Sequence, residues 1–149
     1  MVSEKEFRQG LRDIWVRPGM TLEVHSSLSS FGHMESGIEA VIRALQEAVT
    51  QGGSIFMPAL RLSREMDLSP SDREMGIVTK IKILEPDCER SAMGLIADTF
   101  RKMPDVCTGE GVFRTSGWRK NGGKAADGGL RYALEQGGKL CSSGWIFTN

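Results

Sequence analysis

The sequence has few of the residues that build disulfide frameworks or metal sites. Its 149 residues include three cysteines, Cys88, Cys107 and Cys141, and two histidines. The cysteines are odd in number and show no C-x-x-C spacing, which argues against both a disulfide framework and a zinc site. We therefore interpret them as structural thiols and expect no metal centre.

The chain also lacks a net charge and a long apolar run. Nineteen basic residues balance nineteen acidic ones, so no global electrostatic field attracts nucleic acid or anionic lipid. No apolar stretch reaches the length of a membrane span, and charged residues follow Met1 where a signal peptide would be apolar. These absences predict a soluble cytoplasmic protein without a nucleic-acid or membrane partner. One modest basic cluster, interpreted as a solvated loop, comprises Arg114, Arg119, Lys120 and Lys124.

Three common ligand-binding and catalytic motifs are missing as well. The sequence contains no G-x-x-x-x-G-K-[ST], no G-x-G-x-x-G and no G-x-S-x-G. Phosphate-loop, dinucleotide-binding and hydrolase-elbow interpretations therefore lack support. Any ligand site in this chain has to be found from other patterns.

The most informative stretch that is present runs from Glu23 to Val49, EVHSSLSSFGHMESGIEAVIRALQEAV. It predicts a short buried strand ending at His25, then a Ser/Gly loop holding both histidines, then an amphipathic helix. In an open α/β sheet, ligand-contacting groups collect at the carboxyl ends of strands, because the loops there lead into helix N-termini. This loop is therefore the first candidate site in what we expect to be a single domain over residues 1–149.

Helix and strand signals place that stretch in a βαβ unit. Ser3 with Glu6, and Ser36 with Glu39, both have capping-box spacing, which predicts that a helix begins after each serine. A second apolar strand follows over Ser54–Met57 and is closed by Pro58. The order strand, helix, strand predicts a right-handed crossover between parallel strands.

Beyond the second strand the pattern weakens. Residues 59–89 are rich in charge and poor in periodicity, and they form either a lid over the strand ends or a solvated excursion. Ser91 is predicted to cap a helix that runs through Phe100. A helical stretch is expected within Gly122–Gln136, and a last strand region within Lys139–Phe147.

The loop after the first strand offers four hydroxyls, several backbone N–H groups and one imidazole between His25 and Ser30. Small side chains let ligand atoms approach the backbone, so the loop suits the phosphates, amides and hydroxyls of a nucleotide-like cofactor. The serines could equally be turn formers, and His25 could equally hold the loop by hydrogen bonds. His33 is better explained as a surface-loop residue.

Three segments of the chain resemble the aminoglycoside N(3)-acetyltransferase family, of which this chain would be a truncated or divergent member. They are RPGMTLEVHSSLSSFGHMESGIEAVIRALQEAV, GGSIFMPA and SAMGLIADTFRKMPDV, and they occur in the order found in the family. The first carries Val-His-Ser-Ser-Leu-Ser followed by Gly-x-x-x-Val-Ile-x-Ala-Leu. This combination is the most specific part of the resemblance.

The resemblance implies an α/β protein, a three-layer α/β/α sandwich with a mainly parallel central sheet that is C-terminally shortened. It further implies that the protein binds acetyl-CoA and passes the acetyl group to an amine of an aminoglycoside antibiotic or a similar polyamine, as antibiotic-resistance enzymes do. The residues that it assigns to the acetyl-CoA cleft are Val24, His25, Ser26, Ser27, Leu28, Ser29, Ser30, Ser91, Met93 and Gly94.

Two departures from the family pattern bear on activity. Family members carry a His-Pro-x-x-Ser motif whose histidine is the general base, whereas the corresponding stretch Phe113–Arg119 has no histidine. Ser116 retains the serine of that motif, so Ser116 and His25 are the candidate catalytic residues. His25 belongs to the cofactor loop and is not expected to replace the missing base, which predicts weak turnover. Family members also continue past the strand region near Phe147, so we expect an exposed sheet edge that a homodimer would cover.

A polycationic acceptor requires carboxylates, and the nearest acidic cluster lies downstream of the strand that ends at Pro58. The candidate substrate residues are Glu65, Asp67, Asp72 and Glu74. Two function classes stay open at this point. One is an acetyl-CoA-dependent N-acetyltransferase of low activity, and the other is a non-catalytic CoA-binding or interaction remnant of the same fold.

Overall fold

The structure, a computed structural model, describes residues 2–25, 36–119, 122–127, 129–135 and 137–142. Within these ranges the helices are α1 (Glu4–Asp13), α2 (Gly37–Val49), α3 (Pro70–Glu74), α4 (Leu95–Phe100) and α5 (Gly129–Glu135), with a 3-10 helix at Gly122–Asp127. The strands are β1 (Thr21–His25), β2 (Ser54–Pro58), β3 (Val106–Thr108), β4 (Thr115–Arg119) and β5 (Lys139–Ser142). No helix of the described part is long and apolar enough to cross a membrane.

The strands form one sheet in the order β3-β4-β2-β1-β5. β1 pairs in parallel with both β2 and β5, which confirms the parallel pairing expected for the βαβ unit. β4 runs antiparallel to its neighbours β2 and β3, so four strands point one way and β4 points the other. The prediction of a mainly parallel sheet is therefore correct in that most strands run in one direction. The β3-β4 and β4-β2 pairs, however, are antiparallel. The short connection between β3 and β4 permits only an antiparallel pair.

Helices cover both faces of this sheet, which confirms the three-layer α/β/α architecture. On β2, Ile55 and Met57 face α2 and α4 and belong to the larger core cluster, which also includes Phe7 and Leu11 of α1. Phe56, between them in sequence, points to the opposite face and packs with Ala133 and Tyr132 of α5. Because successive strand residues point to opposite faces, one buried strand places apolar side chains in both layers.

The two predicted capping boxes have different outcomes. At α1, the Ser3 N–H donates to Glu6 Oε2 (2.8 Å) and the Glu6 N–H donates to Ser3 Oγ (3.3 Å), so the box is confirmed. At α2, Ser36 is the N-cap residue but makes no side-chain capping hydrogen bond. The box predicted there is wrong, because the Ser36 backbone (φ −95°, ψ 7°) is not in the extended conformation from which a hydroxyl reaches the first-turn N–H groups.

The helix predicted to begin at Ser91 begins instead at Leu95. Gly94 is its N-cap residue and has a φ of 90°, a conformation that glycine adopts without a steric penalty. The Ser91 hydroxyl is not a cap, because it donates to the side chain of Asp98 (2.8 Å). Ser91 therefore anchors the turn before α4.

Residues 59–89 fold back on themselves after β2. The Ser63 N–H donates to Lys82 O (2.9 Å) and the Met66 N–H donates to Lys80 O (2.8 Å), so two stretches of the segment run side by side. Helix α3 lies between these two stretches in the chain. The segment is thus an ordered excursion with its own backbone hydrogen bonds, and the lid interpretation stays a prediction.

The two C-terminal predictions lie partly in the described residues. The helical stretch expected within Gly122–Gln136 is confirmed as the 3-10 helix and α5. The strand region expected within Lys139–Phe147 contains β5, which pairs with β1, and residues 143–149 lie outside the described part.

Candidate functional site

The candidate site lies at the edge of the sheet where the parallel strands end. His25 ends β1 beside Ser142 of β5. Pro58 ends β2 beside Thr115, the first residue of the antiparallel β4. This edge is where an open α/β sheet usually binds its ligands, because loops and helix N-termini converge there.

His25 presents its imidazole at this edge and is held by Glu23. The Nε2 atom lies 2.6 Å from Glu23 Oε1, and the histidine side chain is 48% exposed. The two residues are two apart on one strand, so their side chains share a face of the sheet. A carboxylate only accepts hydrogen bonds, so Nε2 donates and the neutral ring carries its free lone pair on Nδ1. Glu23 thereby fixes both the orientation and the tautomer of the ring.

The remaining loop residues are outside the described part of the chain. Ser26, Ser27, Leu28, Ser29 and Ser30 stay predicted cofactor contacts, and His33 is likewise not described.

The side chain of Val24 is buried. It is only 4% exposed and belongs to the larger core cluster. A cofactor at the strand end could therefore contact only the Val24 backbone, and Val24 stays a predicted cofactor contact. Alternation along β1 sends Val24 into the core and His25 to the other face.

A buried polar network holds the turn that carries the other predicted cleft residues. The Ser91 N–H donates to Asp98 Oδ2 (2.7 Å) and its hydroxyl donates to Oδ1 (2.8 Å). Ser91 Oγ also accepts from the Met93 N–H (3.2 Å). Asp98 is 3% exposed and pairs with Arg101, whose Nε lies 3.5 Å from Oδ1. Because Asp98 occupies both donors of Ser91, this serine shapes the cleft through the turn and does not offer its own hydroxyl proton.

The same turn lies close to the end of β2. The Ala92 N–H donates to Leu62 O (2.8 Å), and Leu62 follows the last residue of β2 by four positions. The structure therefore brings Met93 and Gly94 to the carboxyl side of β2, the strand adjacent to β1. The Met93 side chain packs partly against the core, and both Met93 and Gly94 are partly exposed.

Arg114 is buried at this edge, so its assignment to a solvated basic loop is wrong. It is 6% exposed, its Nε donates to Ala59 O (2.9 Å), and its Nη1 donates to Pro86 O (2.7 Å). Burial, together with the nearby guanidinium of Arg101, lowers the pKa of Arg114. Arg114 thus links the residue after β2 to the excursion. The only feature of the sequence that marks this arginine is its position just before β4.

Two further arginines bind carbonyl groups of the same turn of the excursion. The Arg61 Nε donates to Leu84 O (2.7 Å), and Arg101 Nη2 donates to Cys88 O. Three guanidinium groups thus hold residues 84–88 against the sheet edge. Sequence reasoning missed this role because each partner is a backbone carbonyl far along the chain.

Ser116 is not available for catalysis. It is fully buried within β4, and its hydroxyl lies 2.8 Å from Thr108 Oγ1 on β3. No amine or thioester could contact it there, so its assignment as a catalytic residue is wrong. Its physical role is to join the two antiparallel strands.

The predicted acidic cluster divides into two groups. Asp72 accepts from Lys80 Nζ (2.9 Å) and from the Ser69 N–H (2.8 Å), and it is 7% exposed. The hydrogen bond from Lys80, followed by those from Ser69, lowers the pKa of Asp72 to about 2. Asp72 is thus committed to the capping box of α3, and its assignment as a substrate residue is wrong. Glu65, Asp67 and Glu74 are exposed and remain candidates.

Comparison with known proteins links this sheet edge to a family. A family model described as aminoglycoside 3-N-acetyltransferase matches residues 24–109, from the end of β1 to just past β3. Among curated proteins, the SPbeta prophage-derived aminoglycoside N(3')-acetyltransferase-like protein YokD of Bacillus subtilis (strain 168) is 32% identical over 112 residues. That alignment covers 70% of this chain and 41% of YokD. Aminoglycoside N(3)-acetyltransferase IV of Salmonella sp is 34% identical over 96 residues, covering 64% of this chain and 31% of that protein.

Solved structures agree with these matches. The crystal structure of YokD from Bacillus subtilis superposes with a TM-score of 0.62 at 26% identity and covers 85% of this chain and 53% of that one. A structure of AAC-IIIb in a binary complex with CoASH superposes with a TM-score of 0.72 over 95% of this chain and 59% of that one, and at 17% identity it supports the fold alone. The chain thus spans less than half the length of the curated relatives and just over half of these solved chains.

Proposed function

This chain belongs to the aminoglycoside 3-N-acetyltransferase family, and on that basis we propose that it binds acetyl-CoA at the carboxyl edge of β1 and β2 and transfers the acetyl group slowly to an aminoglycoside-like amine. The observation that carries the proposal is the position of the family match. It begins at Val24, next to the exposed His25, and includes the turn that Ser91 and Asp98 hold beside β2.

The proposed reaction is attack of an amine on the thioester carbonyl carbon. A C–N bond forms, the C–S bond breaks and the thiolate leaves. The ammonium proton passes to the thiolate or to water, because no side chain is assigned as the base. Oriented donors near the carbonyl oxygen stabilise the negative charge that develops there. We assign that role to the loop Ser26–Ser30, because four of its five residues are serines and small side chains let ligand atoms approach the backbone. Gly94, without a side chain, lets the pantetheine arm approach the turn before α4.

A second candidate function is acetyl-CoA or CoA binding without turnover. The absence of histidine from Phe113–Arg119 and the buried position of Ser116 favour it. Amine-dependent release of thiol from acetyl-CoA distinguishes the two functions. Release that rises with a kanamycin- or gentamicin-like amine supports the transferase, while saturable CoA binding without any such release supports the binding module.

The exposed carboxylates of the excursion are the proposed acceptor contacts. We expect the triple variant Glu65→Gln, Asp67→Asn, Glu74→Gln to raise KM for a polycationic amine about three- to tenfold at low salt, because exposed charge pairs contribute about 0.2–1 kcal/mol each. The increase should shrink at high salt, where exposed charges are screened. Steady-state thiol release measures it.

The matched control for this prediction is Asp13→Asn, an exposed acidic residue at the end of α1, which leads to the opposite edge of the sheet. It should leave KM unchanged. An unaltered KM in the triple variant at low salt would remove the excursion from the acceptor site.

A further inference from the structure

A groove between α1 and α2 lies far from the carboxyl edge. It has a volume of about 450 Å³ and an apolar wall that includes Leu11, Val16 and Ala48. α2 starts on the carboxyl side of β1 and has 13 residues, so its last turn, which borders the groove, lies about 20 Å away at 1.5 Å per residue. The groove is therefore separate from the proposed acetyl-CoA site.

Arginines line the polar side of this groove, and two of them have no carboxylate partner among the described residues. Arg8 forms ion pairs with Glu4 and Glu47. Arg12 binds the neutral amide oxygen of Gln9 through Nε (3.2 Å) and Nη2 (2.7 Å). The Arg17 guanidinium donates through Nη1 to the backbone carbonyls of Arg12 and Val16. Within the described part of the chain, the groove thus offers guanidinium N–H groups that bind no acid.

Trp15 lies beside Arg17 at the end of α1. Its φ of 67° belongs to the turn that ends the helix, because the Trp15 N–H donates to Arg12 O (3.0 Å) and the Val16 N–H donates to Leu11 O (3.0 Å). The indole is 73% exposed, and its ring lies 5.0 Å from the guanidinium carbon of Arg17. Trp15 thus places an exposed aromatic ring against one of the guanidinium groups of the groove.

We propose that this groove binds a small organic carboxylate with an apolar body, such as an aromatic acid. Its volume is in the range of small-molecule sites, and its apolar wall suits an aromatic or aliphatic body. A guanidinium group matches a carboxylate bidentately. This site is additional to the proposed transferase function and does not depend on it.

The experiment titrates naphthalene-2-carboxylate into the protein by calorimetry, with naphthalene-2-carboxamide as the uncharged match. We expect saturable binding of the carboxylate, about tenfold weaker binding of the carboxamide, and about a tenfold loss of carboxylate affinity in Arg12→Gln, because each change removes a hydrogen bond between two charged groups. Arg12→Gln keeps the backbone carbonyl to which Arg17 donates.

Arg43→Gln is the control variant, because Arg43 is an exposed arginine of α2 that pairs with Glu39 and does not line the groove. It should bind the carboxylate as the wild type does. The melting temperature of both variants should stay within about 2 °C of wild type, as is usual for surface changes. Equal affinity for carboxylate and carboxamide, or equal losses in Arg12→Gln and Arg43→Gln, would overturn the proposal. Acetyl-CoA binding should be the same in all three proteins.

Discussion

Asp98→Ala is expected to lower the free energy of unfolding by about 3–5 kcal/mol, the usual cost of removing one partner of a buried ion pair. Asp98 is 3% exposed and accepts two hydrogen bonds from Ser91 while pairing with Arg101. The substitution leaves the buried guanidinium of Arg101 without its carboxylate and frees the turn before α4. Urea denaturation measures the loss.

The control for this prediction is Asp67→Ala, an exposed carboxylate that should change stability by no more than about 0.5 kcal/mol. Asp98→Asn should fall between the two, because an amide oxygen can still accept from Ser91 but cannot neutralise Arg101. If Asp98→Ala unfolds at the same urea concentration as Asp67→Ala, the network does not hold the site together.

Acetyl transfer to a kanamycin- or gentamicin-like amine is expected to be about 10²- to 10⁴-fold slower than in aminoglycoside N(3)-acetyltransferase IV assayed alongside, the usual contribution of a general base. The stretch Phe113–Arg119 carries no histidine, and β4 buries Ser116. His25, the one imidazole among the described residues, belongs to the cofactor loop in this proposal and does not face the attacking amine. The pH profile of turnover should therefore show no inflection near the ordinary histidine pKa of about 6.5.

His25→Asn separates binding from catalysis. We expect this variant to bind CoA nearly as well as the wild type and to keep its slow turnover. Glu23→Gln, which removes the carboxylate beside the ring, should behave in the same way. Rapid acetylation that is lost in His25→Asn, with CoA binding intact, would make His25 the base and contradict this interpretation.

Local sequence patterns were sufficient to predict the central part of the fold. The apolar run before His25, the amphipathic helix and the apolar run at Ser54–Met57 predict β1, α2 and β2, because burial on one face imposes a period of 2 or 3.6 on the sequence. The parallel pairing of β1 and β2 followed from their order along the chain. β3 and β4 were not predicted, since β3 has three residues and carries too little pattern.

The side-chain partners within the site could not be predicted in the same way. Arg114 binds carbonyls of Ala59 and Pro86, 55 and 28 residues away, and no local pattern encodes such a contact. Ser36 and Ser91 both precede a helix in the sequence pattern, yet one makes no cap and the other binds Asp98. The contact between Glu23 and His25 could have been predicted from the sequence, because residues two apart on a strand share a face.

Calorimetric titration of acetyl-CoA tests the central claim, that the family match reports a cofactor site at the end of β1. The wild type should bind acetyl-CoA saturably, and a concentration of 100 times Kd should stabilise it by about 2.7 kcal/mol. The double variant Ser26→Trp, Ser29→Trp should lose both the heat and the stabilisation, whereas Ser71→Trp, at an exposed position of α3, should keep them. Absence of binding in the wild type, or unchanged binding in the double variant, would contradict the account.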